Sequence, residues 1–260
     1  MGVPFLALGL RQMRELHWSD EKHFTVNGKR FFASIFEADY YSFKSTPDEF
    51  LVVKDRAMIE TELALMPSPR RIVELGIWQG GSAVLLDQFF SPERLVAVDF
   101  NPARIPALDE YARGHPNVRP YYGIDQADGS KLSEIVEADF SGQPIDLVID
   151  DASHFYAETR ASFLTLFPRM RPGGLYLIED WSWAHRGWNT WENSYFSGKP
   201  SLLNLLVELT TLVAGRPDVA ERIDILPWLA VCRRGPAAAP SAEEMTRNFW
   251  SRGKPILPTL

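Results

Sequence analysis

The segment Glu74-Leu75-Gly76-Ile77-Trp78-Gln79-Gly80-Gly81-Ser82 joins a strand-like stretch to a helix-like stretch. The residues before it, Arg71–Leu75, form a short apolar run, and those after it, Gly81–Phe90, place apolar residues at helical spacing. Glycines let the chain turn tightly and let a ligand approach the backbone without a Cβ in the way. The spacing is not the G-x-G-x-x-G of a dinucleotide-binding loop. The segment is therefore either an ordinary strand–helix turn or the binding loop for another ligand.

The same alternation of strand-like and helix-like segments continues toward the C-terminus. Further strand-like runs are Leu95–Val98, Val118–Tyr122, Ile145–Ile149 and Gly174–Ile178, with one or two last strands within Ile223–Cys232. The helix-like segments are Pro102–Arg113, Lys131–Glu137, Ala157–Met170, which Pro168 is expected to kink or end, and Ser201–Val213. This alternation predicts an α/β fold with a doubly wound, mostly parallel sheet. Ligands bind such sheets outside the carboxyl ends of the strands.

We divide the chain into three parts. Residues 1–70 are an N-terminal extension, residues 71–234 are the core, and residues 235–260 are a linker rich in Pro and Ala with a C-terminal helix and tail. The predicted elements outside the core are a hairpin over Phe24–Phe32 with an Asn-Gly turn, a helix over Glu49–Met66 and a helix over Ser241–Trp250. We expect the extension to pack on the sheet and to reach over the site.

The composition excludes several classes of protein. With 27 basic and 34 acidic residues, the chain carries a net charge of −7, which argues against nucleic-acid binding through a broad basic face. A single cysteine, Cys232, excludes an internal disulfide framework and a multi-cysteine metal site. No apolar stretch is long enough to predict a membrane span, and the N-terminus lacks the basic stretch of a secretory signal. We expect a cytoplasmic protein without a nucleic-acid or membrane partner.

Polar residues follow the second and third strand-like runs of the core. Asp99 lies at a strand end, where a carboxylate can accept hydrogen bonds from both ribose hydroxyls of a nucleoside. Asp125 and Gln126, after the next run, are expected near an adenine edge. Structural interpretations remain open as well, because Asp99 can cap the following turn and either Asp128 or Ser130 can cap the next helix.

Two acidic pairs close the next two strand-like runs. Asp150 and Asp151 follow one run, and Glu179 and Asp180 follow the other. Neighbouring parallel strands lie about 5 Å apart, so Asp151, Glu179 and Asp180 are expected to converge. Three carboxylates need a counter-charge, and Mg²⁺ prefers such oxygen ligands. His154 stands three residues beyond Asp151, where a neutral imidazole suits a general base. The alternative is that the acidic pairs are polar strand ends and helix caps.

Three segments carry a resemblance to known protein families. Glu74–Ser82 resembles the first motif of class I S-adenosylmethionine-dependent methyltransferases. Val148–His154 and Arg171–Asp180 resemble the macrolide sugar O-methyltransferase family, which includes the mycinamicin and tylosin deoxysugar methyltransferases and is also labelled cephalosporin hydroxylase-like. The similarity covers about Arg71–Trp181. Ala152 departs from the family, which often has Gly at this position.

The resemblance implies a seven-stranded, Rossmann-like core and a set of site residues. It implies Mg²⁺ bound by Asp151, Glu179 and Asp180, with His154 as the general base, so that Asp151 and His154 are the catalytic residues. The residues expected to bind S-adenosylmethionine are Glu74, Gly76, Gly80, Ser82, Asp99, Asp125, Gln126 and Asp150. The resemblance also implies a homo-oligomer, either a dimer or a tetramer.

A cluster of aromatic residues follows the second acidic pair. Trp181, Trp183 and Trp188 offer flat faces that can stack on a sugar or an aromatic acceptor. Together with Tyr40 of the N-terminal extension, they are the candidate acceptor wall. A packed lid or a subunit interface explains the same cluster equally well.

These observations lead to one main functional hypothesis and three alternatives. The main hypothesis is an O-methyltransferase, dependent on S-adenosylmethionine and Mg²⁺, that acts on a sugar hydroxyl of a glycoside or glycan. The second is a similar enzyme for a catechol-like acceptor. An iron-dependent hydroxylase is disfavoured, because no histidine is followed two residues later by Asp or Glu. A non-catalytic scaffold is disfavoured by the intact set of acidic residues and histidine.

Overall fold

The computed structural model describes residues 15–35, 42–65, 68–185 and 197–255. Within these ranges the chain forms a four-stranded sheet, a seven-stranded sheet and a short two-stranded hairpin. The four-stranded sheet belongs to the N-terminal extension, and the seven-stranded sheet belongs to the core.

The N-terminal sheet contains the predicted hairpin. Its strands are β1 (His17–Trp18), β2 (His23–Val26), β3 (Lys29–Ala33) and β4 (Glu49–Val52). Strands β1, β2 and β3 are antiparallel neighbours, whereas β4 pairs in parallel with β3. The turn between β2 and β3 places Asn27 and Gly28 at positive φ, as a two-residue hairpin turn requires. The predicted hairpin is therefore confirmed.

The prediction of one helix over Glu49–Met66 is wrong in its first part. Glu49–Val52 is β4, and the helix that follows, α1, covers Arg56–Leu65. Phe50 and Val52 are fully buried in β4, where they pack in the core beside β3. Burial of this short apolar run by pairing with a distant strand prevails over its local helical spacing.

The core contains a mostly parallel seven-stranded sheet, as predicted. Its strands are β5 (Arg71–Leu75), β6 (Arg94–Asp99), β7 (Val118–Tyr122), β8 (Ile145–Asp150), β9 (Met170–Glu179), β10 (Ala220–Ile225) and β11 (Leu229–Arg234). Their order is β10-β11-β9-β8-β5-β6-β7. The five strands from β5 to β9 are parallel, and β10 and β11 form an antiparallel pair beside β9.

Helices alternate with these strands. They are α2 (Gly81–Phe90), α3 (Pro106–Gly114), α4 (Gly129–Phe140), α5 (Tyr156–Leu166) and α6 (Leu203–Gly215). Helix α3 begins later than predicted, since Pro106 occupies its first turn, where a missing N–H costs nothing. Helix α5 ends at Leu166, and a short 3₁₀ turn containing Pro168 follows it. This agrees with the expectation that Pro168 kinks or ends the helix.

Both faces of the central sheet are buried. Ile72, on β5, belongs to an apolar cluster that includes residues of α2, α3 and the N-terminal sheet. Its neighbour Val73 points to the opposite face and belongs to a second cluster, with residues of α4, α5 and α6. Because successive side chains of a strand alternate in direction, this arrangement gives the doubly wound fold its two apolar layers.

The strand order creates a switch point between β5 and β8. From β5 the chain runs outward to β6 and β7, and it then returns to the other side of β5 as β8 and β9. The loops that follow β5 and β8 therefore separate in opposite directions at the carboxyl edge of the sheet. Such a switch point is where open α/β sheets bind their ligands.

The C-terminal helix is shorter than predicted. Helix α7 covers Ala242–Thr246 and begins with a capping box, in which Ser241 and Glu244 exchange hydrogen bonds between side chain and backbone. A hairpin of β12 (Trp250–Ser251) and β13 (Lys254–Pro255) follows it. In the part of the chain that the structure describes, no helix is long and apolar enough to cross a membrane.

Candidate functional site

The end of β5 lies unusually close to the end of β8. Gly76, directly after β5, has a φ of 98°, and a Cβ at this position would overlap the backbone carbonyl of Asp151. The Asp151 amide donates to the Leu75 carbonyl at 2.9 Å, and the Gly76 amide donates to the Val98 carbonyl at 2.8 Å. Only glycine satisfies both the positive φ and the close approach. The loops after β5 and β8 consequently share one corner of the site.

Asp99 holds the loop that follows β5. Its Oδ2 accepts hydrogen bonds from the amides of Ile77 at 2.8 Å and Trp78 at 3.1 Å. Its Oδ1 accepts from the Asn101 amide at 2.7 Å, which is the capping role left open by the sequence. A carboxylate oxygen accepts more than one hydrogen bond, so these contacts leave capacity for a ligand. Asp99 thus shapes the loop and also borders the cavity in front of it.

A cavity of about 450 Å³ opens at the carboxyl edge of the sheet. The predicted site residues that line it are Gly76, Asp99, Asp125, Gln126 and Asp151. Two aromatic residues, Trp78 and Phe100, also line it and are 49% and 74% exposed. Large apolar side chains this exposed offer flat faces to a planar ligand group. The cavity therefore combines polar loop residues with aromatic surfaces.

Asp128, in the loop before helix α4, has a structural role. Oδ1 of Asp128 accepts a hydrogen bond from the Lys131 amide at 2.9 Å, and α4 begins directly after Asp128. The helix-cap interpretation of Asp128 is therefore confirmed.

Asp150 lies behind the cavity and does not line it. It is 2% exposed, and its carboxylate accepts hydrogen bonds from Gln126 at 3.0 Å, Ser162 at 2.7 Å and Tyr176 at 2.8 Å. Burial raises the pKa of Asp150, and these three hydrogen bonds oppose the rise. Gln126 in turn accepts from the Ser153 amide at 2.9 Å. The network connects Asp150 to the loop that carries His154.

Glu74 and Ser82 also lie outside the large cavity. Glu74 is 1% exposed, and together with Ser82, Lys54 and Glu62 it borders a small cavity of about 20 Å³. Burial raises the pKa of Glu74 to about 8, although a hydrogen bond with Ser82 opposes this shift. Gly80, at a φ of 81°, is the N-cap of α2. The structure thus places Glu74 beneath the loop of the cofactor motif.

Asp151, His154 and Asp180 form a group suited to a metal ion. Each contributes one ligand atom, and the three atoms lie within 4.8 Å of one another. His154 and Asp180 have positive φ values of 57° and 50°, which are uncommon for residues with a Cβ. The Asp180 amide donates to the Trp228 carbonyl at 2.8 Å, so β9 and the turn before β11 help to fix this backbone. Strained backbone of this kind is concentrated at functional sites.

Glu179 lies outside this group and is paired with Lys54. Glu179 is 2% exposed, and its carboxylate contacts the Lys54 ammonium. The same ammonium lies 3.5 Å from Oδ2 of Asp151 and 3.6 Å from Oε2 of Glu62. Lys54 follows β4, so the N-terminal extension does reach the site. Sequence reasoning missed this lysine, although it ends an apolar run just as the acidic pairs do.

The charges of this cluster are out of balance. Burial by itself lowers the pKa of Lys54, but three neighbouring carboxylates outweigh burial and hold that pKa well above its ordinary value. Burial and the charges of Asp151 and Glu62 raise the pKa of Glu179, against the opposing effect of its lysine partner. Apart from burial, both shifts reflect neighbouring carboxylates, which outnumber the one ammonium among the described residues of this cluster.

Two buried polar atoms of the site lack a hydrogen-bond partner among the described residues. They are Oε1 of Glu179 and Nδ1 of His154. Buried polar atoms normally have partners, so these two atoms are suited to a bound group. The carboxylates of this cluster, short of positive charge, fit a divalent cation.

The aromatic candidates separate into three cases. The ring centroids of Trp183 and His154 lie 5.7 Å apart, so Trp183 borders the site. The indole N–H of Trp181 donates to the Leu226 carbonyl at 2.7 Å, and its ring packs against the apolar core. Tyr40 and Trp188 lie outside the described residues.

The comparison with protein families agrees with the position of this site. Residues 73–181 match the Methyltransf_24 family, described as a methyltransferase domain. The match includes the predicted site residues from Glu74 to Trp181, and it excludes Lys54.

Several curated proteins are similar to part of the chain. Mycinamicin VI 2''-O-methyltransferase of Micromonospora griseorubida is 36% identical over 117 residues, which are 42% of this chain and 27% of that protein. Demethylmacrocin O-methyltransferase of Streptomyces fradiae is 34% identical over 142 residues, 52% of this chain and 33% of that protein. The chain spans about a third of the length of the curated relatives it matches.

A solved structure shows the same kind of likeness. The MycE methyltransferase of the mycinamycin pathway, in complex with Mg, SAH and mycinamycin VI, is 28% identical with a TM-score of 0.52. The alignment covers 69% of this chain and 49% of that one. A caffeoyl-CoA O-methyltransferase-like structure from Staphylococcus aureus, at 13% identity and a TM-score of 0.51, shares the fold. The predicted resemblance to macrolide sugar O-methyltransferases is confirmed.

The raised pKa of Glu74 predicts how the stability of the chain depends on pH. In the folded chain its pKa is about 8 against an ordinary value of 4.5, so folding favours the protonated form and stability falls as pH rises between these values. Glu74→Gln should therefore increase the free energy of unfolding at about pH 8.5 by about 2–4 kcal/mol. At about pH 4 the substitution should change it little, because Glu74 is then protonated in both states.

Urea unfolding of the cofactor-free chain at the two pH values measures this difference. Glu110→Gln is the matched control, because Glu110 is exposed and should alter stability at neither pH. An equal effect of Glu74→Gln at both pH values would show that Glu74 is not a buried, protonated carboxyl.

Proposed function

We propose that the chain is an O-methyltransferase, dependent on S-adenosylmethionine and Mg²⁺, that transfers a methyl group to a sugar hydroxyl of a glycoside or glycan. The observation that carries this proposal is the position of Asp151. It lines the large cavity and also belongs to the group of ligand atoms with His154 and Asp180. A cofactor in the cavity and a cation on that group would meet at the same edge of the sheet.

The cavity supplies the cofactor contacts. Asp99 has remaining capacity to accept hydrogen bonds from ribose hydroxyls, and Gly76 lines the cavity beside it. Trp78 and Phe100 offer aromatic faces to an adenine, with Asp125 and Gln126 beside them. Glu74, Gly80, Ser82 and Asp150 support the loops around the cavity instead of lining it.

The acidic group supplies the cation site. Asp151 and Asp180 would hold Mg²⁺, and Glu179 would join them when it leaves Lys54. When bound, S-adenosylmethionine supplies the methyl group, and Mg²⁺ supplies a Lewis acid that lowers the pKa of the acceptor hydroxyl.

His154 would take the proton of the acceptor hydroxyl at an imidazole nitrogen. Its ring lies in the same group as the two aspartates, and its Nδ1 has no competing hydrogen bond from the described residues. Trp183 beside it would limit access of water and provide a face for the acceptor. Asp150, through Gln126 and the Ser153 amide, would hold the loop of His154 in place. Catalysis would then depend mainly on proximity and orientation.

The relatives favour a sugar acceptor over a catechol. The curated relatives include proteins named for O-methylation of a rhamnosyl tetracenomycin-C and of an L-olivosyl-oleandolide. The hydroxylase alternative has little support, since the described ligand group holds one histidine and two carboxylates in place of two histidines and one carboxylate. A homo-oligomeric state and a cytoplasmic location stay predictions from the sequence.

The role of His154 can be separated from that of a metal ligand. His154→Ala should lower the rate of methyl transfer by about 10²–10⁴-fold, the range of a lost general base. It should leave the dissociation constants of S-adenosylhomocysteine and Mn²⁺ within about threefold of the parent, because Asp151 and Asp180 remain. Isothermal titration gives both constants. A loss of Mn²⁺ binding in this variant would assign His154 to the metal, and an unchanged rate would remove it from the reaction.

The acceptor class is tested by competition between two kinds of substrate. Transfer of labelled methyl from S-adenosylmethionine should occur to a rhamnosyl or deoxysugar glycoside and should fall to background in EDTA, because the cation activates the hydroxyl. A catechol offered at the same concentration should accept methyl at least about tenfold more slowly. Transfer that survives EDTA would contradict the metal mechanism, and a preference for catechol would contradict the sugar acceptor.

A further inference from the structure

Lys54 brings a positive charge from the N-terminal extension into the carboxylate cluster of the core. It is 6% exposed, between β4 and α1. Its ammonium contacts Glu179 and lies 3.5 Å from Asp151 and 3.6 Å from Glu62. In the described part of the chain, the ion pairs give Glu62 and Glu179 no other cationic partner. Lys54 therefore supplies the positive charge of this buried cluster.

The backbone around Lys54 is fixed by packing. Strand β4 lies against the start of α2, where a Cβ on Gly81 would overlap the Leu51 carbonyl. On the other side, Asp55 accepts a hydrogen bond from the Met58 amide at 2.8 Å in the first turn of α1. The ammonium is consequently held at the site by a defined backbone, unlike that of a mobile surface lysine.

We propose that Lys54 is a positioning residue that competes with the divalent cation for Glu179. This inference rests on the metal site of the proposed function and extends it. Lys54 holds one part of the Glu179 carboxylate, while Oε1 of Glu179 is buried without a hydrogen-bond partner among the residues that the structure describes. Glu179 is thereby kept out of the group formed by the other acidic ligands and His154. Entry of a cation would transfer Glu179 from the ammonium to the metal.

Glu62 allows this exchange to occur without leaving the buried Lys54 ammonium unpaired. It comes from α1, and its Oε2 lies 3.6 Å from the Lys54 ammonium. When Glu179 turns to the metal, the ammonium keeps one buried carboxylate as its partner. An unpaired buried ammonium would be strongly unfavourable, so a second carboxylate at this distance is what such an exchange needs.

The proposal predicts that removing the ammonium strengthens metal binding. Lys54→Met keeps most of the length of the side chain and removes its charge, so it should lower the dissociation constant of Mn²⁺ by about tenfold or more. The electron paramagnetic resonance signal of free Mn²⁺, measured with the whole chain, gives this constant. Lys131→Met is the matched control, since Lys131 is exposed and pairs with Glu134 away from the site. It should leave the constant unchanged.

A second variant separates competition for Glu179 from a general effect of charge. If Lys54 acts by holding Glu179, then Lys54→Met should no longer strengthen Mn²⁺ binding when Glu179→Gln is also present. An equal gain with and without Glu179→Gln would contradict the competition. A constant that is unchanged or weaker in Lys54→Met alone would contradict it as well.

Melting temperatures show whether a change in Mn²⁺ binding results from a folding defect. In EDTA, Lys54→Met should lower the melting temperature, and Mn²⁺ should restore it, because the bound cation replaces the missing charge. Lys54→Met with Glu62→Gln removes one charge of each sign, so in EDTA it should melt above Lys54→Met alone. It should still bind Mn²⁺ more tightly than the parent; weaker binding by this folded double variant would overturn the proposal. If the parent and Lys131→Met bind no Mn²⁺ at all, the metal site of the proposed function fails.

Discussion

The close approach of Gly76 to the backbone of Asp151 is the constraint on which the rest of the site depends. It joins the end of β5 to the end of β8, so the loops that follow these two strands leave the sheet from one corner. Any side chain at Gly76 would force the two strand ends apart. Because of this contact, Asp151 can border the large cavity and also belong to the ligand group with His154 and Asp180.

The second constraint is the balance of buried charge. Several carboxylates surround a single ammonium, and the pKa values of Glu62, Glu74 and Glu179 are all raised, chiefly by burial. A cluster of this kind favours any additional positive charge that can reach it. Lys54 meets part of that need from the N-terminal extension. The extension is thus part of the site, in addition to being packed on the core.

The sequence predicts the core well because its signals are local. Acidic residues directly after apolar runs mark the strand ends, and this places Asp99, Asp151 and Asp180 at one edge of the sheet. Lys54 escaped prediction because its role depends on contacts with residues 97 and 125 positions away. The parallel pairing that places it could not be read from Glu49–Val52, whose spacing indicates a helix equally well.

The central claim is that one corner of the sheet holds both the cofactor and a divalent cation. A crystal structure of the chain with S-adenosylhomocysteine and Mn²⁺, with anomalous scattering data, tests it most directly. The account predicts nucleoside density beside Asp99 and an anomalous peak at about 2.0–2.3 Å from carboxylate oxygens of Asp151 and Asp180. Nucleoside density in the cavity without a peak at this position would contradict it.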